Sequence, residues 1–153
     1  MQIYSQRDPL WAKRNIGNTK YTIGQFGCTL TSIAMLASYF GDKLTPLDIA
    51  RRCRFTADAK IIWSSVVFEH FEFDYRYYQD SKEVIDQCLK DPDRAVILQV
   101  KNKAHWVVAT DKTFFLDKYK IADPWYGDRS SLTRYGNKID GFATFTRRPL
   151  QLF

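Results

Sequence analysis

The sequence predicts an α+β fold, and three observations predict it. An apolar helix pattern runs from Thr29 to Phe40. A short, continuously apolar run, Ala95 to Val100, reads as a buried strand. Helical signals occupy the first half of the chain and strand signals the second, which places helices beside an antiparallel sheet rather than alternating with parallel strands. A chain of 153 residues that is 45% apolar and 16% aromatic can bury a core of its own and is not a disordered one. No internal repeat, low-complexity segment or linker interrupts it, so residues 1–153 read as a single domain.

Taken in order, Tyr4 to Trp11 reads as extended, with Asp8-Pro9 marking a turn. Asn15 to Thr19 is a polar loop. Gly24 and Gly27 bracket the approach to Cys28, where positive φ or close backbone approach excludes a bulky residue. In the helix that follows, Leu30, Ile33, Ala34 and Ala37 form one stripe, which Met35, Leu36, Tyr39 and Phe40 extend nearly all round. That pattern makes it the central, buried helix, and Gly41 stops it. Thr45-Pro46-Leu47-Asp48 is a helix start, with Thr as N-cap, Pro at the first position and Asp in the first turn; this helix ends near Cys53. A third helix is expected from Ile61 to about His70, a strand from Phe71 to Tyr78, and a short helix from Ser81 to Leu89. Strands are then expected at Ala95–Val100, His105–Thr110, Tyr119–Asp123 and Phe142–Thr146.

The charge balance is basic, with 23 Lys and Arg against 17 Asp and Glu. The excess is scattered in pairs such as Lys13-Arg14, Arg51-Arg52 and Arg147-Arg148. Scatter of this kind argues against a nucleic-acid stripe and for a generally basic surface, one that an anionic polymer such as a bacterial wall would attract. No run of about 18 apolar residues is present to span a membrane. The N-terminal residues lack a charged-then-apolar signal pattern, so the expected location is cytoplasmic before release, or virion-associated.

Three cysteines, Cys28, Cys53 and Cys88, are too few and too widely spaced for a disulfide framework. With no CxxC pair and only two histidines, no metal site and no cofactor are expected. Cys53 and Cys88 sit among apolar neighbours as buried packing residues. Cys28 differs, because it stands at the first residue of a helix, where the helix N-terminus favours the thiolate form of a cysteine. A base and an orienting acid are available downstream. If a hairpin pairs Thr110 with Lys118, His105 falls opposite Asp123 on the same face, within reach of an imidazole–carboxylate hydrogen bond. A one-residue slip would separate them. Thiol, imidazole and carboxylate are the parts of a nucleophilic relay for acyl transfer. Each also has an ordinary reading: core cysteine, half-buried histidine, turn-forming Asp before Pro. His70, beside Glu69, is the competing base and lacks a strand-paired acid. Trp11, Trp106, Trp125 and Tyr126 are candidates to line a groove for peptide or sugar.

The run Tyr4-Ser5-Gln6-Arg7-Asp8-Pro9-Leu10-Trp11, with Thr22-Ile23-Gly24, Gly27-Cys28-Thr29-Leu30-Thr31-Ser32, Thr45-Pro46, His105-Trp106-Val107-Val108 and Ile121-Ala122-Asp123-Pro124-Trp125, resembles the papain-like cysteine peptidases of the bacteriocin-processing type. It is most similar to their double-glycine-leader-peptidase-like relatives. The resemblance implies a papain-like α+β fold, with Cys28 as nucleophile, His105 as base and Asp123 as orienting acid. It also implies an oxyanion-binding glutamine. The place shortly before the cysteine where leader-processing members carry it holds Tyr21-Thr22 here. Gln6, which matches the Gln-x-Asp-x-x-Trp opening of the broader relatives, is therefore the expected donor, with Gln25 as fallback. The leader-processing branch is normally joined to transporter membrane domains, absent from this sequence. The chain is more similar to stand-alone wall-cleaving domains of phage lysins or tails. The expected partners are a peptide or peptidoglycan substrate and phage structural proteins. The alternative is an inactive papain-like domain serving as a structural or binding component of a larger assembly.

Overall fold

Helix α2 (Cys28–Phe40) lies at the centre, for the reason its sequence gives: residues from Leu30 to Ala37 are buried without a break, including the polar Thr31 and Ser32. Gly41, in the left-handed region at φ 105°, ends it. The computed structural model describes residues 1–113 and 115–150. A single helical turn, α1 (Ile23–Phe26), leads directly into α2. Helix α3 (Pro46–Arg52) begins with a full capping box, in which Thr45 and Asp48 each accept the other's backbone N–H. Helix α4 (Lys82–Lys90) is capped by the Ser81 hydroxyl.

Among the described residues six strands, β1 (Phe71–Tyr77), β2 (Arg94–Val100), β3 (His105–Thr113), β4 (Lys118–Asp123), β5 (Asp128–Ser131) and β6 (Gly141–Arg147), form one sheet in the order β1-β6-β2-β3-β4-β5. Every neighbouring pair is antiparallel. The sheet is covered on both sides. Ala95, Ile97, Trp106 and Val108 join the core of α2 and α3. Val96, Leu98, Val107 and Ile121 join a second core under Ile85 and Cys88 of α4. Burial on both faces is why β2 reads as an unbroken apolar run. Among the described residues no helix is long and apolar enough to cross a membrane.

Three expectations are corrected. Residues 61–70 form no helix. Ile61 bridges Phe55, Trp63–Ser65 make one 3₁₀ turn, and Val67 bridges Glu72. Four β-branched residues (Ile61, Ile62, Val66, Val67) disfavour a helix here, and the Ser65 hydroxyl takes over local backbone groups by donating to Ile62 and accepting from Arg54. Residues 4–11 are folded into turns rather than extended, because the Asp8 carboxylate and carbonyl accept the N–H groups of Leu10, Trp11 and Ala12. The β3–β4 register is displaced: Thr113, not Thr110, pairs with Lys118, and the ladder shifts between Ala109 and Asp111. Strand β5 and the 3₁₀ turn Leu132–Tyr135 were not foreseen.

Candidate functional site

Cys28 is the first residue of α2 and follows Gly27 directly. The glycine is required by close approach and not by positive φ, since a Cβ there would lie 2.5 Å from the Ile23 carbonyl oxygen; at Gly24 it would lie 2.9 Å from that of Ala12. α1 therefore folds tightly against α2 and leaves the Cys28 side chain half-exposed. Cys53 and Cys88 are buried. Burial pushes the Cys53 thiol up to about 11 and raises that of Cys88 as well, so both are held in the unreactive thiol form.

His105 opens β3, and Asp123 closes β4. Continuing the pair Val108–Ala122 by one step sets Val107, rather than His105, across from Asp123. The two side chains still meet, because a displacement of two residues keeps them on one face. His105 Nε2–H donates to Asp123 Oδ1 at 2.8 Å. The other ring nitrogen is left for Cys28, which lines the same cleft as His105.

Asp123 is fully buried and accepts four hydrogen bonds from the described residues. Oδ1 takes His105 and the Trp125 N–H (3.0 Å). Oδ2 takes Arg134 (3.0 Å) and the Tyr135 hydroxyl (2.5 Å). Arg134 holds Asp128 with its two terminal nitrogens at the same time, both at 2.9 Å. Burial alone would raise the Asp123 carboxyl, but bonds from His105 and Tyr135 outweigh it and hold it near 2. Burial alone would lower His105, but its bond to Asp123, with Cys28 nearby, holds it at about 9. Their signs fix a stability window. The carboxylate, depressed from 3.8, stabilises the fold above about pH 4 and loses this as pH falls toward 2. The imidazolium, raised from 6.5, stabilises it below about pH 6.5 and loses this as pH rises through 9. Thermal unfolding of the wild type, less that of Asp123→Asn, should show this contribution greatest between about pH 4 and 6.5; a difference independent of pH would reject the ion pair.

Cys28 and His105 open on a cleft of about 280 Å³ that Gln6, Gln25, Trp125 and Tyr126 also line. Gln6 is buried. Its backbone N–H bonds the Pro124 carbonyl at 2.8 Å, and its amide Nε2 lies 3.3 Å from the Gly24 carbonyl. Gln25 is exposed, with its side-chain oxygen on the Thr22 hydroxyl. Arg7 lies over the Trp125 ring at 4.4 Å, and Arg134 over Tyr126 at 4.3 Å, which stiffens that rim. Trp11 and Trp106 lie outside the cleft. Trp11 is buried, with its indole N–H on the Ser5 carbonyl, and so shapes the turn that carries Gln6. Trp106 points to the α2 core against Trp63, as its position next to His105 on a strand requires. His70 belongs to a separate pair with Asp42 (2.5 Å), and that bond raises its pKa. Asp42, Glu69 and His70 are the described residues whose potential metal-ligand atoms cluster, within 4.8 Å of one another. Sequence reasoning missed Arg134 and Tyr135, whose ring also sits 5.5 Å from that of His105.

The family model of peptidase C39 matches residues 20–135, a span that runs from the approach to Cys28 through Tyr135. No match was found among curated proteins or among solved structures.

Proposed function

The chain belongs to the peptidase C39 family and is a cysteine peptidase, and from that premise we propose that Cys28 is the nucleophile, His105 the general acid–base and Asp123 the residue that orients it. The observation that carries this reading is that His105, bonded to the buried Asp123 carboxylate, lines one cleft with the Cys28 thiol. It also supports reading the α+β architecture as papain-like, with residues 1–153 as one peptidase domain.

The thiolate of Cys28 attacks the scissile carbonyl carbon, and charge develops on the carbonyl oxygen. The backbone N–H of Cys28, one of the orphan donors of the α2 N-terminus, faces that charge. The Gln6 amide is the second donor. His105 gives its proton to the departing amine, leaving a thioester on Cys28. Water then attacks the thioester, His105 takes its proton, and the acid is released. Replacing Gln6 with Ala should lower kcat about 10²–10³-fold with little change in KM, while Gln25→Ala changes kcat less than threefold. The reverse pattern would move the oxyanion role to Gln25.

The alkaline limb of the kcat/KM profile should fall near pH 9, where His105 loses its proton. A limb near 6.5 would mean that the imidazole is not held by the carboxylate.

The substrate we propose is the peptide portion of a bacterial wall polymer, in the manner of a phage-type or bacterial wall-cleaving domain. A net charge of +6 supports attraction to an anionic wall, and none of the described residues lining the cleft is acidic. Purified wall material and peptide libraries incubated with wild type and with Cys28→Ala, then analysed by mass spectrometry, test this. Wall fragments released by wild type alone support it; cleavage of free peptides with intact wall material rejects it.

A further inference from the structure

A cavity of about 780 Å³ lies apart from the one at Cys28 and shares no lining residue with it. It opens between the loop after Trp11 and the end of α3. Arg14 comes from the loop, Arg51 from the last turn of α3, and Arg54 from just beyond it. All three are exposed, and none makes an ion pair among the described residues. No acidic residue is among the described residues that line the cavity. The nearby Asp58 is engaged by the Thr56 hydroxyl and by Lys60 at 3.7 Å. A cation in the last turn of a helix is favoured by the helix dipole, which accounts for Arg51. It does not account for two further arginines brought to the same cavity from other segments. Like charges gathered around one concavity repel one another and raise the local potential for an anion.

We propose that this cavity is a binding site for a phosphodiester chain, with the Arg14, Arg51 and Arg54 guanidinium groups on successive phosphates. Guanidinium groups match phosphate oxygens in paired geometry. The amides of Asn15 and Asn18 add donors on the same wall. The side chains thus offer mainly donors. A phosphodiester chain brings mainly acceptors, whereas an acidic peptide brings its own N–H groups and needs acceptors in return. Leu47, Phe55 and Ile62 supply an apolar floor for the carbon linkages between phosphates. The site is independent of the thiol chemistry and would hold a phosphate-bearing polymer while the other cleft works on peptide.

The test is equilibrium binding of fluorescent poly(glycerol phosphate), of a single-stranded oligonucleotide and of oligoglutamate to the full chain carrying Cys28→Ala, so that cleavage plays no part. The expected result is binding of a phosphodiester probe that weakens roughly 20-fold between 50 and 200 mM salt, the slope for about three neutralised phosphates on a single strand. Arg14→Ala, Arg51→Ala and Arg54→Ala should each weaken it and flatten the salt slope, while Arg52→Ala, outside the cavity, leaves it within twofold. Preference for poly(glycerol phosphate) assigns the chain to a wall-type polymer, and preference for the oligonucleotide assigns it to nucleic acid; both support the site. Equal or tighter binding of oligoglutamate, equal losses for Arg52→Ala and Arg51→Ala, or no binding of either phosphodiester would overturn it.

Discussion

Cys28→Ala should abolish cleavage, with kcat/KM falling on the order of 10⁴–10⁶-fold, while the protein stays folded. The size follows from the role we propose for the thiol: without that nucleophile there is no thioester, and only binding and the oxyanion donors remain. Stability should change little. The Cys28 side chain is half-exposed rather than buried, and Ala is a good residue at the start of a helix, so the change in unfolding free energy should stay within about 1 kcal/mol. Cys53→Ser and Cys88→Ser give the opposite pattern. Both place a hydroxyl where burial is nearly complete, lose stability, and keep activity per folded molecule. Iodoacetamide should modify Cys28 well before the other two in the native protein. Cleavage by Cys28→Ala within tenfold of wild type would remove the thiol from the mechanism. Such a result together with unchanged assembly of a larger particle would favour the binding-only alternative.

How much of this was legible in the sequence depends on how local its cause is. Thr45-Pro46-Leu47-Asp48 could be read because a capping box is complete within four residues. Helix α2 could be read because its burial is written in its own periodicity. The His105–Asp123 contact was legible only through parity. The ladder is displaced by two residues from the simplest hairpin, and an even displacement keeps both side chains on one face. The irregularity between Ala109 and Asp111 that accompanies it left no mark in the alternation. Residues 61–70 misled for the converse reason. Ile61, Val66 and Phe68 are buried, but Val67 is exposed, and β-branching and the Ser65 hydroxyl settle the backbone away from helix. Arg134 and Tyr135 were out of reach. They lie in a polar segment without periodicity, and their partner Asp123 is eleven and twelve residues away, across a strand and two turns.

Those two residues give Asp123 a structural role beside the orienting role we propose for it, and its variants should separate the two. Asp123→Ala removes the acceptor of four donors at once. Trp125 N–H, the Tyr135 hydroxyl and the buried His105 all lose this acceptor, while Arg134 keeps Asp128. Loss of one member of a buried pair costs about 3–5 kcal/mol, enough to threaten folding. Asp123→Asn is milder and more informative. Its amide oxygen can stay at the Oδ1 position and accept from His105 and Trp125. Its NH₂ then stands where Oδ2 accepted, facing Arg134, which has only donors. Tyr135 can turn its hydroxyl to accept instead. Asparagine should therefore keep the imidazole oriented but lose the charge that holds it protonated. kcat should fall about 10²–10⁴-fold, and the alkaline limb of the pH profile should move from near 9 toward 6.5. A variant that only loosened the structure would lower kcat without moving the limb. Tyr135→Phe supplies the control, since it removes one donor to Oδ2 and leaves the charge: a loss of about 1 kcal/mol in stability is expected, with the limb in place. Should Asp123→Asn retain both its kcat within tenfold and its limb at pH 9, another group must hold His105.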